Sequence, residues 1–163
     1  MSLIGSLAAK IAARFDDRDP VFYAADVLLF AKSRTGLLHV LLIERGWDPH
    51  KGRLAAPGGH VDAGETSEQA ARREAAEETG LDLTRVPLHR VGIYDQPGRD
   101  ARGRYVSVAY TAVLPDMPAP VAGDDAAAAA WMPLHVATRL AQQGRFAFDH
   151  ADMLFDACRI HGW

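Results

Sequence analysis

The segment GHVDAGETSEQAARREAAEETGL, Gly59–Leu81, carries the strongest structural signal in the chain. Thr66 and Gln69 have the spacing of a capping box, and the alanines that follow favour helix. Gly80 is the residue type that ends a helix, because it adopts a left-handed backbone without strain. The sequence therefore predicts a helix that opens at Thr66 and runs to about Thr79.

Three carboxylates crowd into the last turns of this helix. At about 100° per residue, Glu74, Glu77 and Glu78 fall within roughly a 100° arc of one helix face. They lie at the negative end of the helix dipole, and the like-charge pair Glu74–Glu78 costs on the order of 0.2–0.5 kcal/mol. A hard divalent cation would offset that repulsion. For these three residues alone, a solvated acidic face partly neutralised by Arg72 and Arg73 is the alternative.

The residues flanking the acidic face favour a ligand site. Pro57-Gly58-Gly59 precedes the helix, and its two glycines let the backbone approach a ligand or turn its carbonyls inward. Glu65 lies at the helix start. Arg73 can orient neighbouring carboxylates through its planar guanidinium group.

Taken together, the fixed residues of this segment resemble the Nudix box, the signature of the Nudix hydrolase family. The matching positions, at every spacing, are Gly59, Glu65, Arg73, Glu74, Ala75, Glu77, Glu78, Gly80 and Leu81. The resemblance implies an α/β fold, namely an α/β/α sandwich with a mixed sheet.

The same resemblance assigns roles to residues of the box. It implies that Glu74, Glu77 and Glu78, joined by the carbonyl of Gly58, bind Mg²⁺ or Mn²⁺. It implies that Arg73 and Glu65 act in catalysis by holding the helix and loop in place. The general base is left open among four carboxylates, which are Glu77, Glu78, Asp124 and Asp125.

Similarity outside the box points to a substrate class. The stretches 48–65, 94–114 and 148–157 resemble the bacterial ADP-ribose pyrophosphatase branch of the family. This implies hydrolysis of the pyrophosphate bond of a nucleoside diphosphate derivative, with ADP-ribose or a related nucleotide sugar giving AMP and a sugar phosphate. Relatives commonly carry Trp and Leu within 54–56 and often Glu and Arg within 126–130, so these departures leave the exact specificity open.

Two other functions compete with this interpretation. One is hydrolysis of a nucleoside triphosphate, such as an oxidised nucleotide. The other is a non-catalytic module that senses a nucleotide ligand, although such regulators tend to have a degraded box and an added DNA-binding domain. The intact box and the end of the chain just after the final helix favour the enzyme.

Several residues outside the box are candidates for binding substrate. Arg99, Arg102 and Arg104 share one loop, where one or two could bind a phosphate or all could form an exposed basic turn. Asp26 interrupts an apolar strand, where it either faces the site or is a structural carboxylate.

Aromatic and histidine residues give a weaker signal. The rings of Trp47, Phe22 and Tyr23 can stack on an adenine, but packing in the core is the favoured interpretation. His60, beside the glycines, is interpreted as structural. Asp149-His150 is interpreted as the cap of the last helix and its neighbour.

Length and composition define the class of protein. The chain has 163 residues, 48% hydrophobic and 24% charged, which suits a single domain spanning 1–163. Residues 1–18 predict an amphipathic helix that packs on the domain.

The net charge of −3 with dispersed basic residues argues against a nucleic-acid partner, and no membrane partner is expected. Cys158 is the only cysteine, which fits a cytoplasmic protein, and the branch resemblance makes a homodimer plausible.

Strand and helix patterns complete the prediction. Apolar runs predict a hairpin of strands 21–30 and 37–45, followed by a loop from Gly46 to the paired glycines. Further strands are predicted at 89–95 and 104–114, and helices at 133–143 and after Asp149. The alanine run 126–130 is interpreted as low complexity. Strands between helices predict a mixed sheet covered by helices.

Overall fold

A computed structural model describes residues 19–123 and 126–163. The predicted N-terminal helix and the pair Asp124–Asp125 lie outside the described residues, and a single domain spanning 1–163 stays a prediction. In chain order, the helices and strands are β1 (Val21–Lys32), β2 (Leu38–Arg45), β3 (Leu54–Ala55), β4 (Gly58–His60), α1 (Ser67–Thr79), β5 (His89–Tyr94), β6 (Arg104–Val113), β7 (Ala126–Pro133), α2 (Leu134–Gln142) and α3 (His150–His161). Within these ranges, no helix is long and apolar enough to cross a membrane.

The strands form one mixed sheet with the order β3-β2-β1-β6-β5. β1 and β6 run parallel, and the other pairs are antiparallel, including the predicted β1–β2 hairpin. Only the last three residues of β1, Phe30–Lys32, pair with β2. An earlier part of β1 is therefore free to pair with β4. This pairing sets Gly58 opposite Asp26 and brings the paired glycines to the middle of the sheet.

Helices cover both faces of the sheet, which confirms the predicted α/β/α sandwich. On one face, Val27 and Leu29 of β1 pack in a buried cluster with the alanines of α1. On the other face, Leu28 and Phe30 pack in a cluster with α2 and α3. The side chains of β1 alternate between the two clusters because successive residues of a strand point to opposite faces.

The helix α1 begins and ends where the sequence predicts. Thr66 accepts a hydrogen bond from the backbone of Gln69, whose side chain accepts one from the backbone of Thr66, which completes the capping box. Gly80 ends the helix in the left-handed conformation, with φ of 70°. Ala70, Ala71 and Ala75 are fully buried against the sheet, and Glu78 in the last turn is buried on the same side of the helix.

One prediction about local structure is wrong, and one strand was not predicted. The segment after Gly46 is not one loop, because β3 and β4 lie within it. The alanine run 126–130, for which the sequence predicted no strand, forms the first part of β7, which pairs with β2. Alanine has low intrinsic β-propensity, so only the pairing with an apolar neighbouring strand makes this segment a strand.

Candidate active site

A cavity of about 470 Å³ opens where β4, α1, the loop before β6 and the start of α3 meet. Its lining is polar and carries both signs of charge. The acidic side includes Asp26, Glu74 and Glu78, and the basic side includes Arg45 and Arg99. A pocket of this type suits a small ligand that carries its own charge.

Arg73 organises the acidic side of the cavity. Its guanidinium donates two hydrogen bonds of 3.0 Å to the carboxylate of Glu65, one of 2.8 Å to Glu74 and one of 3.0 Å to Glu77. A further bond of 2.9 Å goes to the backbone carbonyl of His60. The bonds from Arg73 lower the pKa of Glu65, and the carboxylates, led by Glu65, raise the pKa of Arg73. Arg73 therefore joins β4, the loop and the helix.

Glu78 is buried beside the first residue of β4. Its side chain accepts a hydrogen bond of 2.9 Å from the backbone N–H of Gly58, and the residue is only 9% exposed. Burial raises the pKa of Glu78 to about 8, and the nearby charges of Glu74 and Asp26 add to this effect. A Cβ atom at Gly58 would collide with the carboxylate of Asp26 and the carbonyl of Ala25, so only glycine fits there.

The other two glutamates of the acidic face differ from each other. Glu74 lies against Gly59, where a Cβ would meet its carboxylate, and burial raises its pKa. Glu77 does not line the cavity; its side chain is 58% exposed and pairs with Arg73. Within residues 19–123 and 126–163, no three acidic, histidine or cysteine side chains stand close enough together to hold a metal ion. Of the three glutamates predicted to share one helix face, Glu74 and Glu78 are therefore buried at the cavity and Glu77 is exposed.

The donor set on the acidic side nevertheless fits a hard divalent cation. Glu74, Glu78 and Asp26 offer carboxylate oxygens to the same cavity. Burial, with a smaller contribution from neighbouring carboxylates, raises the pKa values of Glu74 and Glu78, and a bound cation would oppose both causes. Mg²⁺ needs only one or two protein carboxylates, because waters and substrate phosphates complete its shell.

Asp26 belongs to a buried polar group behind the acidic side. It lies in β1, accepts a hydrogen bond from the hydroxyl of Ser107, and faces Nε2 of His150 at 3.8 Å. Nδ1 of His150 accepts a hydrogen bond of 3.0 Å from the backbone N–H of Ala56. Burial lowers the pKa of His150. His150 therefore holds the segment before β4 in place.

Asp149 is the N-cap residue of α3 and His150 follows it, as the sequence predicts, but both residues have a further part in the site. Asp149 precedes α3 but makes no capping bond with its side chain. Its carboxylate instead accepts hydrogen bonds of 2.7 and 2.5 Å from Arg99, fifty residues away in the chain. His150 is buried and lines the cavity. A single polar residue at the start of a helix carries no periodic pattern that could have revealed this.

The three arginines of the loop before β6 have separate positions. The side chain of Arg99 is only 6% exposed and forms an ion pair with Asp149. Arg102 lines the cavity and pairs with Asp100 at 2.6 Å. Arg104 does not line the cavity, and its guanidinium donates to the backbone carbonyl of Asp95. The loop is therefore not the uniformly exposed basic turn of one alternative, and it does not bring all three arginines into the cavity.

The aromatic candidates also separate. Trp47 lies at the cavity and is 65% exposed, so packing in the core is wrong for this residue. Phe22 and Tyr23 do not line the cavity, and because both are exposed, packing in the core is wrong for them as well. The ring of Phe22 stacks on Tyr105 at a centroid distance of 4.9 Å. The ring of Phe148, for which the sequence predicted no part in the site, lies beneath the guanidinium of Arg45, with 5.0 Å between Cζ and the ring centroid.

The family of the chain follows from comparison with known proteins. Residues 21–156 match the family model described as the NUDIX domain. Because this match covers most of the chain, the chain belongs to the NUDIX family. The resemblance recognised from the segment Gly59–Leu81 is therefore confirmed.

Individual relatives are similar in sequence and structure. The ADP-ribose pyrophosphatase of Methanocaldococcus jannaschii is 39% identical over 123 residues, covering 74% of this chain and 66% of the relative. The NUDIX domain of Shewanella oneidensis NrtR, solved in complex with ADP ribose, is 28% identical with a TM-score of 0.77, covering 92% of this chain and 97% of that one. A mutT/nudix family protein from Listeria innocua is 40% identical with a TM-score of 0.73, covering 89% and 96%. This chain spans about half to two thirds of the length of the curated relatives it matches.

Proposed function

We propose that the protein is a metal-dependent hydrolase that cleaves the pyrophosphate bond of a nucleoside diphosphate derivative, with ADP-ribose the preferred substrate. The observation that carries this proposal is one cavity in which buried carboxylates, Glu74 and Glu78, face arginine side chains. A diphosphate linked to a nucleoside needs both: a cation held by the carboxylates and direct contact with positive side chains. The relatives that act on or bind ADP-ribose support the same substrate class.

The residues take distinct parts in this proposal. Glu74 and Glu78, with Glu77 and the carbonyl of Gly58, would hold Mg²⁺ or Mn²⁺. When bound, the cation neutralises phosphate charge and makes water a stronger nucleophile. Arg73 keeps the carboxylates in position through its bonds to Glu65, Glu74 and Glu77.

One carboxylate must accept the proton of the attacking water. Glu78 is one candidate, because it lines the cavity: without a metal its raised pKa of about 8 keeps it largely protonated at pH 7, and a bound cation would lower that pKa and leave the carboxylate free to accept a proton. Glu77, Asp124 and Asp125 remain the alternatives as general base. Asp26 lines the cavity and lies beside Gly58, which supports a part in positioning the substrate.

A substrate screen tests the proposal. Turnover of ADP-ribose, dinucleotides, nucleotide sugars and nucleoside triphosphates is measured with Mg²⁺, with Mn²⁺ and with EDTA, using a phosphatase to release phosphate from the products. We expect the highest kcat/KM for ADP-ribose and no turnover in EDTA. A preference for an oxidised nucleoside triphosphate would refute ADP-ribose as the preferred substrate and leave the proposal of a metal-dependent hydrolase intact.

A ligand-sensing module is the second candidate function. The similarity to the NUDIX domain of NrtR, solved with ADP ribose, favours it. Binding of ADP-ribose without turnover of any compound in the screen, with either metal, would support the sensor and refute the hydrolase.

The cellular location, the partners and the oligomeric state of the protein are also proposals. They are a cytoplasmic location, a small-molecule nucleotide as the partner, no nucleic-acid or membrane partner, and assembly as a homodimer. Sedimentation velocity over a range of concentrations tests the homodimer directly.

A further inference from the structure

Three consecutive residues, Phe148, Asp149 and His150, each connect to a different part of the cavity. The carboxylate of Asp149 is paired with Arg99, and the ring of His150 accepts a hydrogen bond from the backbone N–H of Ala56. Phe148 differs from both, because its side chain has no polar group and still lines the polar cavity. An aromatic ring in such a position can interact with cations through its π face.

The backbone of Phe148 has a conformation that bulky residues avoid. Its φ is 46°, in the left-handed region, which is strained for a residue with a Cβ atom. Its buried neighbours are held on both sides. The N–H of Ala147 donates a hydrogen bond of 2.9 Å to the carbonyl of Leu54, and the N–H of His150 donates one of 3.1 Å to the carbonyl of Ala147. Strain of this kind persists only where the surrounding structure fixes it, and it is concentrated at functional sites.

The ring of Phe148 contacts two cationic side chains. Cζ of Arg45 lies 5.0 Å from the ring centroid, and Cζ of Arg102 lies 5.5 Å from it. Cζ of Arg102 also lies 4.7 Å from the ring centroid of Tyr105, so this guanidinium packs against two aromatic rings. The ring of His50 meets Phe148 edge to face at 4.7 Å. Phe148 therefore connects the end of β2 and the loop after it with the loop before β6.

The polar contacts of the two arginines do not make this connection. Arg102 pairs with Asp100, which belongs to its own loop. Nε of Arg45 donates a hydrogen bond of 2.9 Å to the carbonyl of Pro49, only four residues further along the chain. Each of these bonds holds an arginine to its own segment. Among the described residues, Phe148 is the side chain whose ring lies against both guanidinium groups.

Two guanidinium groups at one ring repel each other. Burial, followed by the nearby charge of Arg102, lowers the pKa of Arg45. Arginine stays protonated in proteins, so the repulsion tends to separate the two side chains. The negative π face of Phe148 attracts both cations, and this attraction is stronger where water is partly excluded. Side chains that are already ordered cost less to immobilise when a ligand binds.

We propose that Phe148 is a positioning residue, whose ring holds the guanidinium groups of Arg45 and Arg102 side by side so that the positive side of the cavity is formed before an anionic ligand binds. This inference rests on the proposed function for the identity of the ligand. Its test does not depend on hydrolysis, because binding of inorganic pyrophosphate is measured separately. Phe148 acts through the two arginines and takes no part in the chemical step.

The experiment compares Phe148→Leu, Phe148→Tyr and Phe148→Gly with the parent. Leu removes the ring and keeps the strained backbone, Tyr keeps the ring, and Gly removes the ring and relieves the strain. Phe155→Leu is the matched control, because Phe155 lies in α3, packs against the core and does not line the cavity. Calorimetry with inorganic pyrophosphate in EDTA gives Kd. Kinetics with ADP-ribose and Mg²⁺ give KM and kcat, and thermal denaturation gives Tm.

We expect Phe148→Leu to raise the KM for ADP-ribose and the Kd for pyrophosphate about five- to thirtyfold, with kcat changed less than about threefold. This factor corresponds to the loss of two cation–π contacts. Phe148→Tyr should keep both constants within about threefold of the parent, because its ring still attracts the two cations. Phe148→Gly should resemble Phe148→Leu in KM and Kd. Phe155→Leu should lower Tm and leave KM and Kd unchanged.

Different results overturn different parts of the reasoning. A Phe148→Leu protein with a lower Tm but the KM and Kd of the parent would make Phe148 an ordinary packing residue. If only Phe148→Gly changed KM and Kd, the strained backbone would carry the effect and the role of the ring would be refuted. A Phe148→Tyr protein as impaired as Phe148→Leu would also refute the role of the π face.

Two further outcomes keep the inference separate from folding and from the proposed function. If Phe148→Leu does not fold, Phe148→Gly carries the same comparison, because glycine adopts this φ without strain. A parent that binds pyrophosphate and hydrolyses nothing, with weaker binding in Phe148→Leu, would support the role of Phe148 and refute the proposed hydrolase. A parent that hydrolyses ADP-ribose, with KM and Kd unchanged in Phe148→Leu and Phe148→Gly, would do the reverse.

Discussion

Replacing Glu78 by Gln tests whether the acidic side of the cavity is built for a cation. In the metal-free protein, burial raises the pKa of Glu78 to about 8 from an ordinary value of 4.5. Gln has nearly the same shape as the protonated carboxyl group and can still accept the hydrogen bond from Gly58. The change therefore removes a titration and leaves the packing almost unaltered.

The size and sign of the effect follow from linkage. Because the folded-state pKa of Glu78 is raised, its protonated form favours folding below pH 4.5, and this stability is lost as the pH rises through 8. At about 1.36 kcal/mol per pH unit, the loss in the parent reaches about 3 kcal/mol at pH 7. The Gln variant has no such loss, so it should exceed the parent in free energy of unfolding by about 1–3 kcal/mol near pH 8, after allowing for the buried amide.

Urea denaturation in EDTA at pH 5 to 9 measures this difference. We expect the two proteins to be nearly equal at pH 5 and to diverge as the pH rises. Addition of Mg²⁺ should stabilise the parent more than the variant, and turnover of the variant should fall by on the order of a hundredfold because a proposed metal ligand is lost.

Glu77→Gln is the matched control for this experiment. Glu77 lies on the same helix, but its side chain is 58% exposed and paired with Arg73, so its replacement should give no stabilisation that grows with pH. A difference between Glu78→Gln and the parent that stays constant from pH 5 to 9 would refute the linkage argument. A Gln variant less stable than the parent at pH 8 would make Glu78 a structural residue.

Three further predictions concern other parts of the site. Arg73→Ala should lower the free energy of unfolding by about 1–3 kcal/mol and also lower kcat, because three carboxylates lose their donor; urea denaturation and kinetics measure both. Arg99→Gln should lower Tm and change KM little, because the guanidinium of Arg99 is already paired with the carboxylate of Asp149. Adenosine should quench the fluorescence of the parent, and Trp47→Leu should abolish that quenching, because Trp47 is exposed at the cavity and can stack on a base.

Specific results would contradict each of these three. An inactive Arg73→Ala protein as stable as the parent would move Arg73 from a supporting role to direct catalysis. A large rise in KM for Arg99→Gln at unchanged Tm would show that Arg99 leaves Asp149 to bind substrate. Quenching that persists in Trp47→Leu would assign it to another tryptophan, and Trp47 would have no part in recognising the base.

The sequence by itself determined the helix α1 and the character of its polar face. Thr66, Gln69 and Gly80 define the ends of this helix through contacts with residues at most four positions away. The spacing of the glutamates follows from helical periodicity, which is a local property of the chain. The apolar runs of β1 and β2 and the short turn between them were sufficient to predict the hairpin for the same reason.

Only the tertiary structure decided which of the similar residues belong to the cavity. Glu78 is buried there and Glu77 is exposed, although they are adjacent in the chain. The alanines of β7 are a strand only because they pair with β2, whose residues lie far away in the sequence.

The arginines show the physical reason most clearly. Arg99 finds Asp149 fifty residues away, Arg104 turns to the carbonyl of Asp95, and Arg45 reaches the cavity without a carboxylate partner among the described residues. In sequence, all three are simply positive side chains near turns. A charge becomes available to a ligand only when the fold leaves it desolvated and unpaired, and that depends on long-range pairing and packing that no local pattern records.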